Sequence, residues 1–189
     1  MIDIMLKEDI IFATETDSDE LANNFNIPYY KTFYPVTQNS DDLVRILCFA
    51  RENENIKYVL RDDLMSIEVS TIWLEVRNKD ESKLLLGGCY REWTRDGQST
   101  IESQVKQMEV ITDQICRACN ESERVIVIGD MNLCTTRWDD NTYRCRPVVD
   151  ILQSSLTMNA MNKVDFGLTY FSDHATAAGK YVDSAIDHA

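Results

Sequence analysis

Val125-Ile-Val-Ile-Gly-Asp-Met-Asn132 is an apolar, mostly β-branched run that stops at a glycine and then presents two polar side chains from one tight loop. β-Branched residues favour strands, whose successive side chains point to opposite faces. Polar groups therefore come into register only where the apolar pattern stops. A glycine there lets the backbone turn, which places Asp130 and Asn132 at the rim of a sheet. A strand ending in Gly-Asp is also compatible with a simple turn in which Asp130 caps its own backbone.

Three further apolar runs end the same way. Ile10 to Thr14 runs into Glu15, Leu84 to Leu86 leads to Tyr90, and Tyr181 to Ile186 runs into Asp187. Polar residues collected at strand ends and the loops beyond them are how a sheet builds a site at its edge. Glu15, Tyr90, Asp130, Asn132 and Asp187 are the candidate functional residues.

The intervening pattern sets the fold class. Arg45 to Ala50, Tyr58 to Arg61 and Ile67 to Val76 read as strands of a β-meander, and Lys83 to Tyr90 as another. Ile101, Val105, Met108, Ile111, Ile115 and Cys119 recur at spacings of three and four, which predicts a helix over about 100–119, with Ser99 and Glu102 as its capping box. Pro147 suits the first position of a second helix running to Leu156. Asp17 to Asn24 reads as a short capped helix. Several consecutive strands followed by strand, helix, strand, loop, helix, strand point to mixed sheets with helices on their outer faces.

The chain has 189 residues, enough for one domain, and no linker divides it. No segment approaches the roughly 18 apolar residues of a membrane span. Charged residues interrupt the N-terminal apolar stretch, so no secretory signal is evident and an intracellular protein is expected, in nucleus or cytoplasm alike. Cys48, Cys89, Cys116, Cys119, Cys134 and Cys145 are scattered, most within apolar runs or the predicted helix, where a thiol behaves as a small hydrophobe. Cys116 and Cys119 form a C-x-x-C without a second pair, so neither disulfides nor a zinc site is expected. The net charge of −13 excludes a tight nonspecific grip on DNA through a basic face. It leaves room for a phosphate substrate whose charge is met by a divalent cation held on carboxylates.

Thr14-Glu15-Thr16, Tyr90-Arg91, Gly129-Asp-Met-Asn132 and Ser184-Ala-Ile-Asp-His188, in that order, resemble the exonuclease, endonuclease and phosphatase superfamily. They look most like the apurinic-type endonuclease domains of non-LTR retrotransposons. Asn132 to Asp140 (N-L-C-T-T-R-W-D-D) and Gly167 to Tyr170 (G-L-T-Y) extend the resemblance over nearly the whole chain. It implies an α/β (α+β) four-layer sandwich, two mixed β-sheets flanked by helices, that hydrolyses phosphate esters. Mg²⁺ would be the cofactor, with Mn²⁺ able to replace it, and Glu15 would hold it. Asp130 would orient or deprotonate the attacking water, Asn132 would hydrogen-bond the phosphate, Tyr90 would donate its hydroxyl, and Asp187 would orient a catalytic histidine. DNA is the implied partner, held weakly outside the site, and a longer polyprotein carrying a reverse transcriptase is the implied context.

The pattern departs from the resemblance at both ends. The first and last strands of the family, with an asparagine and a Ser-Asp-His, have no counterpart, so an inactive or impaired domain is the expectation. Ser172-Asp173-His174 spells that tripeptide but precedes Asp187, so it is expected in a loop with no catalytic role, and His188 is not the family's general acid. Ala185 stands where the family often has arginine. A phosphatase or deadenylase of the same superfamily and a noncatalytic interaction module are the competing readings.

Overall fold

The computed structural model describes residues 9–18, 27–36, 44–93, 99–134, 137–163, 170–175 and 181–184. Strands β1 (Ile10–Ser18), β2 (Tyr30–Phe33) and β3 (Val44–Arg51) form an antiparallel sheet in the order β1-β3-β2. Strands β4 (Ile56–Leu60), β5 (Ser70–Asn78), β6 (Lys83–Tyr90) and β7 (Val125–Asp130) form a second, mixed sheet in that order, antiparallel except for the β6–β7 pair. Helix α1 (Ile101–Glu121) lies in the crossover between the parallel strands β6 and β7, and α2 (Arg146–Met158) packs beside it. Strands β8 (Tyr170–Ala175) and β9 (Tyr181–Ser184) pair as a separate antiparallel ribbon.

Side-chain parity explains the layering. Even-numbered residues of β1, β3 and β5, among them Phe12, Ile46, Cys48, Ile72 and Leu74, fill the space between the two sheets together with Tyr90. Odd-numbered residues Trp73, Leu85, Cys89, Val125 and Val127 pack on α1 and α2 through Met108, Ile111, Ile115, Val148, Val149 and Leu152. The other face of the first sheet buries Tyr30, Val44, Leu47 and Phe49. At the centre, Gly87 and Gly88 of β6 admit rings on opposite faces. An added Cβ would lie 2.8 Å from Trp73 at Gly87 and 2.1 Å from Phe12 at Gly88.

The expected α+β architecture of two stacked sheets with helices outside is what the chain adopts. Strand β3 does not join the expected meander, however. The polar Glu52–Asn55 segment carries the chain from one sheet to the other, and the meander is β4-β5-β6. Asp17 and Ser18 belong to β1 and not to a helix, because pairing with β3 continues to Ser18 opposite Val44. Residues 19–24 of that predicted helix lie outside the described residues. Thr100, not Ser99, caps α1, accepting from the Ser103 amide at 3.2 Å, since the cap contact runs from N-cap to N3. Ser172-Asp173-His174 lie in β8 and not in a loop, because the backbone of this segment pairs with β9.

At the end of the second sheet away from Tyr90, the Arg61 guanidinium joins Glu121, in the last turn of α1, by two bonds of 2.7 and 2.5 Å. It also donates to Asp63 and to the buried Glu75. Arg61 and Lys83 together hold the Glu121 carboxyl down at about 2. A carboxylate depressed below its unfolded value of about 4.3 stabilises the fold above that pH, and the contribution fades as pH falls toward the folded value. In urea unfolding across pH 7 to 2, the wild type is therefore expected to lose stability below about pH 4.5 more steeply than Glu121→Gln. Parallel curves would show that the network contributes nothing to acid stability.

Candidate active site

Strand β1 presents Glu15 by an irregularity and not by ending there. Thr14 pairs with Ile46 and Ser18 with Val44, so four steps along β1 oppose two along β3, and Glu15 in that bulge has a φ of 55°. Bulges re-aim side chains and are enriched beside active sites. Thr16 anchors the bulge, its hydroxyl donating to the Val44 carbonyl at 2.5 Å. The exposed Glu15 carboxylate accepts a hydrogen bond from the Tyr90 hydroxyl at 3.2 Å, which joins the first sheet to the second at their common rim.

Tyr90 ends β6 with its ring in the inter-sheet core. Burial first, then the Glu15 charge, pushes its hydroxyl up to about 12, so it stays a neutral donor at any physiological pH. Register supplies the next member. Tyr90 pairs with Asp130 across the parallel β6–β7 ladder, and both carry even numbers on the inter-sheet face. Asp130 accepts the Asn132 amide at 2.7 Å, closing the turn, while Asn132 adopts a φ of 50°, a conformation asparagine tolerates better than most residues. Asp130 thus does cap its own turn, as well as facing Tyr90.

Arg91 was legible only as the second letter of a Tyr-Arg pair, and its role is structural in a way spacing could not show. It is fully buried, and its Nε donates to the Met131 carbonyl at 2.6 Å and its Nη2 to the Asn132 carbonyl at 2.7 Å. The Arg91 carbonyl in turn accepts from Asn132 Nδ2 at 2.7 Å, and its amide donates to the Asp130 carbonyl at 2.9 Å. Four bonds from one residue therefore fix the loop that carries Asp130 and Asn132. Burial lowers the guanidinium's pKa, and its Nη1 has no hydrogen-bond partner among the described residues.

Glu15, Tyr90, Asp130 and Asn132 are thus brought together by the ends of β6 and β7 and the bulge of β1. Asp187 and His188 lie outside the described residues, and for His174 the backbone alone is described. Among the described residues no group of three or more His, Cys, Asp or Glu side chains gathers as a metal cage. A single exposed carboxylate at the rim is the donor set that suits Mg²⁺, which retains waters and takes one or two protein carboxylates plus substrate phosphate. Cys116 and Cys119 lie on α1, and the Cys119 thiol contacts the Met161 sulfur at 3.7 Å. No described helix is long and apolar enough to cross a membrane.

Two stacked sheets with helices against the mixed one are the architecture of the exonuclease/endonuclease/phosphatase fold, which solved structures of low identity share with this chain. Among solved structures, the chain is similar to the endonuclease domain of TRAS1, a telomere-specific non-LTR retrotransposon. The TM-score is 0.68 at 18% identity, covering 99% of this chain and 75% of that one. It is similar also to the Xenopus laevis APE2 catalytic domain, with a TM-score of 0.65 at 12% identity, covering 98% of this chain and 74% of that one. No protein-family profile matches the chain. No curated protein sequence matches it either.

Proposed function

We propose that the chain is a Mg²⁺-dependent phosphodiesterase domain that cuts DNA, of the retrotransposon endonuclease type. The observation that carries this reading is the hydrogen bond between Glu15 and Tyr90 from opposite sheets, with Asp130 next to Tyr90 in the ladder. Mg²⁺ held at Glu15 would draw charge from a phosphate oxygen. Tyr90, kept protonated by burial, donates to a phosphate oxygen as negative charge grows there. Asp130 is the general base that orients the attacking water and takes its proton. Asn132 Nδ2 gives one N–H to the Arg91 carbonyl, and its other N–H is the one that would donate to a phosphate oxygen. Asp187, carried over from the motif, would orient a histidine.

Incubation of supercoiled plasmid with the protein and Mg²⁺ tests this directly. Nicking that requires Mg²⁺ and falls by about 10² or more in Asp130→Ala would support the site and overturn the expectation of an inactive domain. Glu15→Gln is expected to raise the Mg²⁺ concentration needed for half-maximal rate. Nicking that survives Asp130→Ala would overturn the assignment of the base. Hydrolysis of inositol phosphates or an RNA tail in preference to plasmid would move the substrate to the phosphatase or deadenylase class. No hydrolysis of any phosphate ester, with Mg²⁺ affinity unchanged in Glu15→Gln, would identify a noncatalytic module.

A further inference from the structure

Trp93 lies three residues beyond Tyr90, so its Cα is within about 11 Å of the site's tyrosine by chain length alone. Its indole is 43% exposed, an uncommon state for a tryptophan that has a whole core available. The backbone beneath it is tied to α1 by hydrogen bonds. Gln104, buried in the first turn of α1, donates through Nε2 to the Trp93 carbonyl at 2.5 Å and to the Glu92 carbonyl at 3.2 Å, and Gln107 adds a second bond to Glu92.

Arg144 comes from the segment that follows the Asp130–Asn132 loop. Its guanidinium carbon stands 5.9 Å from the Trp93 ring centroid, and its Nη2 donates to the Ser99 carbonyl at 3.2 Å. The side chain is exposed. Residues 137–146 hold Arg137, Arg144 and Arg146 against Asp139 and Asp140, a local balance of 3 − 2 = +1 in a chain of net −13. An exposed indole on a hydrogen-bonded backbone, with a cation beside it, at the rim of an acidic molecule has the chemistry of a stacking platform next to a phosphate contact.

We propose that Trp93 and Arg144 form a nucleotide subsite flanking the reaction centre, in which the indole stacks on the base of an unpaired deoxynucleotide and Arg144 meets the adjoining phosphate. This rests on the reading of the chain as a DNA phosphodiesterase and narrows it, because a base inside a duplex has both faces covered by its stacked neighbours. The enzyme would thus prefer single-stranded or locally unpaired DNA around the cut. Every base has such a face, so the preference is for unpairing and not for sequence.

The test measures binding with Ca²⁺ in place of Mg²⁺, using a fluorescently labelled single-stranded oligodeoxynucleotide and the same strand fully paired. The single strand is expected to bind more tightly and to quench part of the tryptophan emission. Trp93→Ala is expected to weaken single-strand binding about tenfold and remove the quenching, whereas Trp93→Phe keeps most of the affinity. Arg144→Gln is expected to reduce the salt slope by about one. Single-strand affinity within twofold of wild type in Trp93→Ala would overturn the subsite, even if plasmid nicking depends on Asp130 as proposed. Trp93-dependent binding without hydrolysis would retain the subsite and remove the catalytic reading.

Discussion

Gly129→Ala is expected to lower the free energy of unfolding by about 3–5 kcal/mol, the range of the severest single substitutions. A Cβ at this position would lie 1.8 Å from the Cys89 carbonyl oxygen, 2.7 Å from its carbon and 2.8 Å from its nitrogen. Those are backbone atoms of the paired strand, and no rotamer change moves them. The φ of 156° adds to the cost, because residues with a side chain rarely adopt it. The β6–β7 ladder must part where Cys89 pairs with Gly129, next to the Tyr90–Asp130 pair. Plasmid nicking should therefore vanish even at temperatures where the variant remains folded. Gly87→Ala is the comparison, since its close contact is the ring of the buried Trp73 at 2.8 Å and not backbone of the paired strand, so it costs core packing without parting the ladder. Urea unfolding of both variants checks this, and a Gly129→Ala within 1 kcal/mol of wild type would show that the strands separate at little cost.

Arg91→Met is expected to cost about 2–4 kcal/mol and to reduce kcat far more than it raises KM. Methionine roughly fills the volume and removes a buried charge, which is favourable in isolation. It also leaves the Met131 and Asn132 carbonyls without their donors inside the protein, and that loss dominates. Asn132, at a φ of 50°, is then free to relax and takes the Asp130 turn with it. Arg91→Lys separates charge from geometry. A lysine keeps the charge but is a point donor, so it cannot hold two adjacent carbonyls in a fixed fork. It should recover part of the stability and little of kcat. Amide exchange at Asn132 gives a readout independent of catalysis, and unchanged protection there in Arg91→Met would refute the clamp.

Much of the architecture was legible in the pattern. The β6 span Lys83–Tyr90 and the helical repeat from Ile101 to Cys119 are strong periodic signals, and both elements form where the periodicity places them. The short strand Tyr30–Phe33 escaped notice because four residues give too little alternation, and its place is set by pairing with β3. The cap moved one residue, from Ser99 to Thr100, because serine and threonine in series offer equivalent caps until the helix phase is known. The site was half visible. Residue type and order pointed to Glu15, Tyr90, Asp130 and Asn132, whereas Arg91 has no local signature, since a buried arginine bonded to carbonyls forty residues away depends on strand pairing.

The sequence by itself determined where each apolar run stops, because side-chain alternation and glycine placement are local properties of the chain, but not which of its residues the fold covers, since Ile126 and Ile128 of β7 are exposed. It also determined the net charge of −13, which leaves room for a phosphate substrate whose charge is met by a divalent cation. Only the tertiary structure decided that Glu15 meets Tyr90, since the bulge between Thr14 and Ser18 turns a carboxylate of one sheet toward the other. It alone decided that Asp130 stands beside Tyr90 and that Arg91 holds the loop. Those relations depend on register and on the parallel joining of β6 and β7 across a helix, and side-chain period leaves the choice of neighbouring strand open.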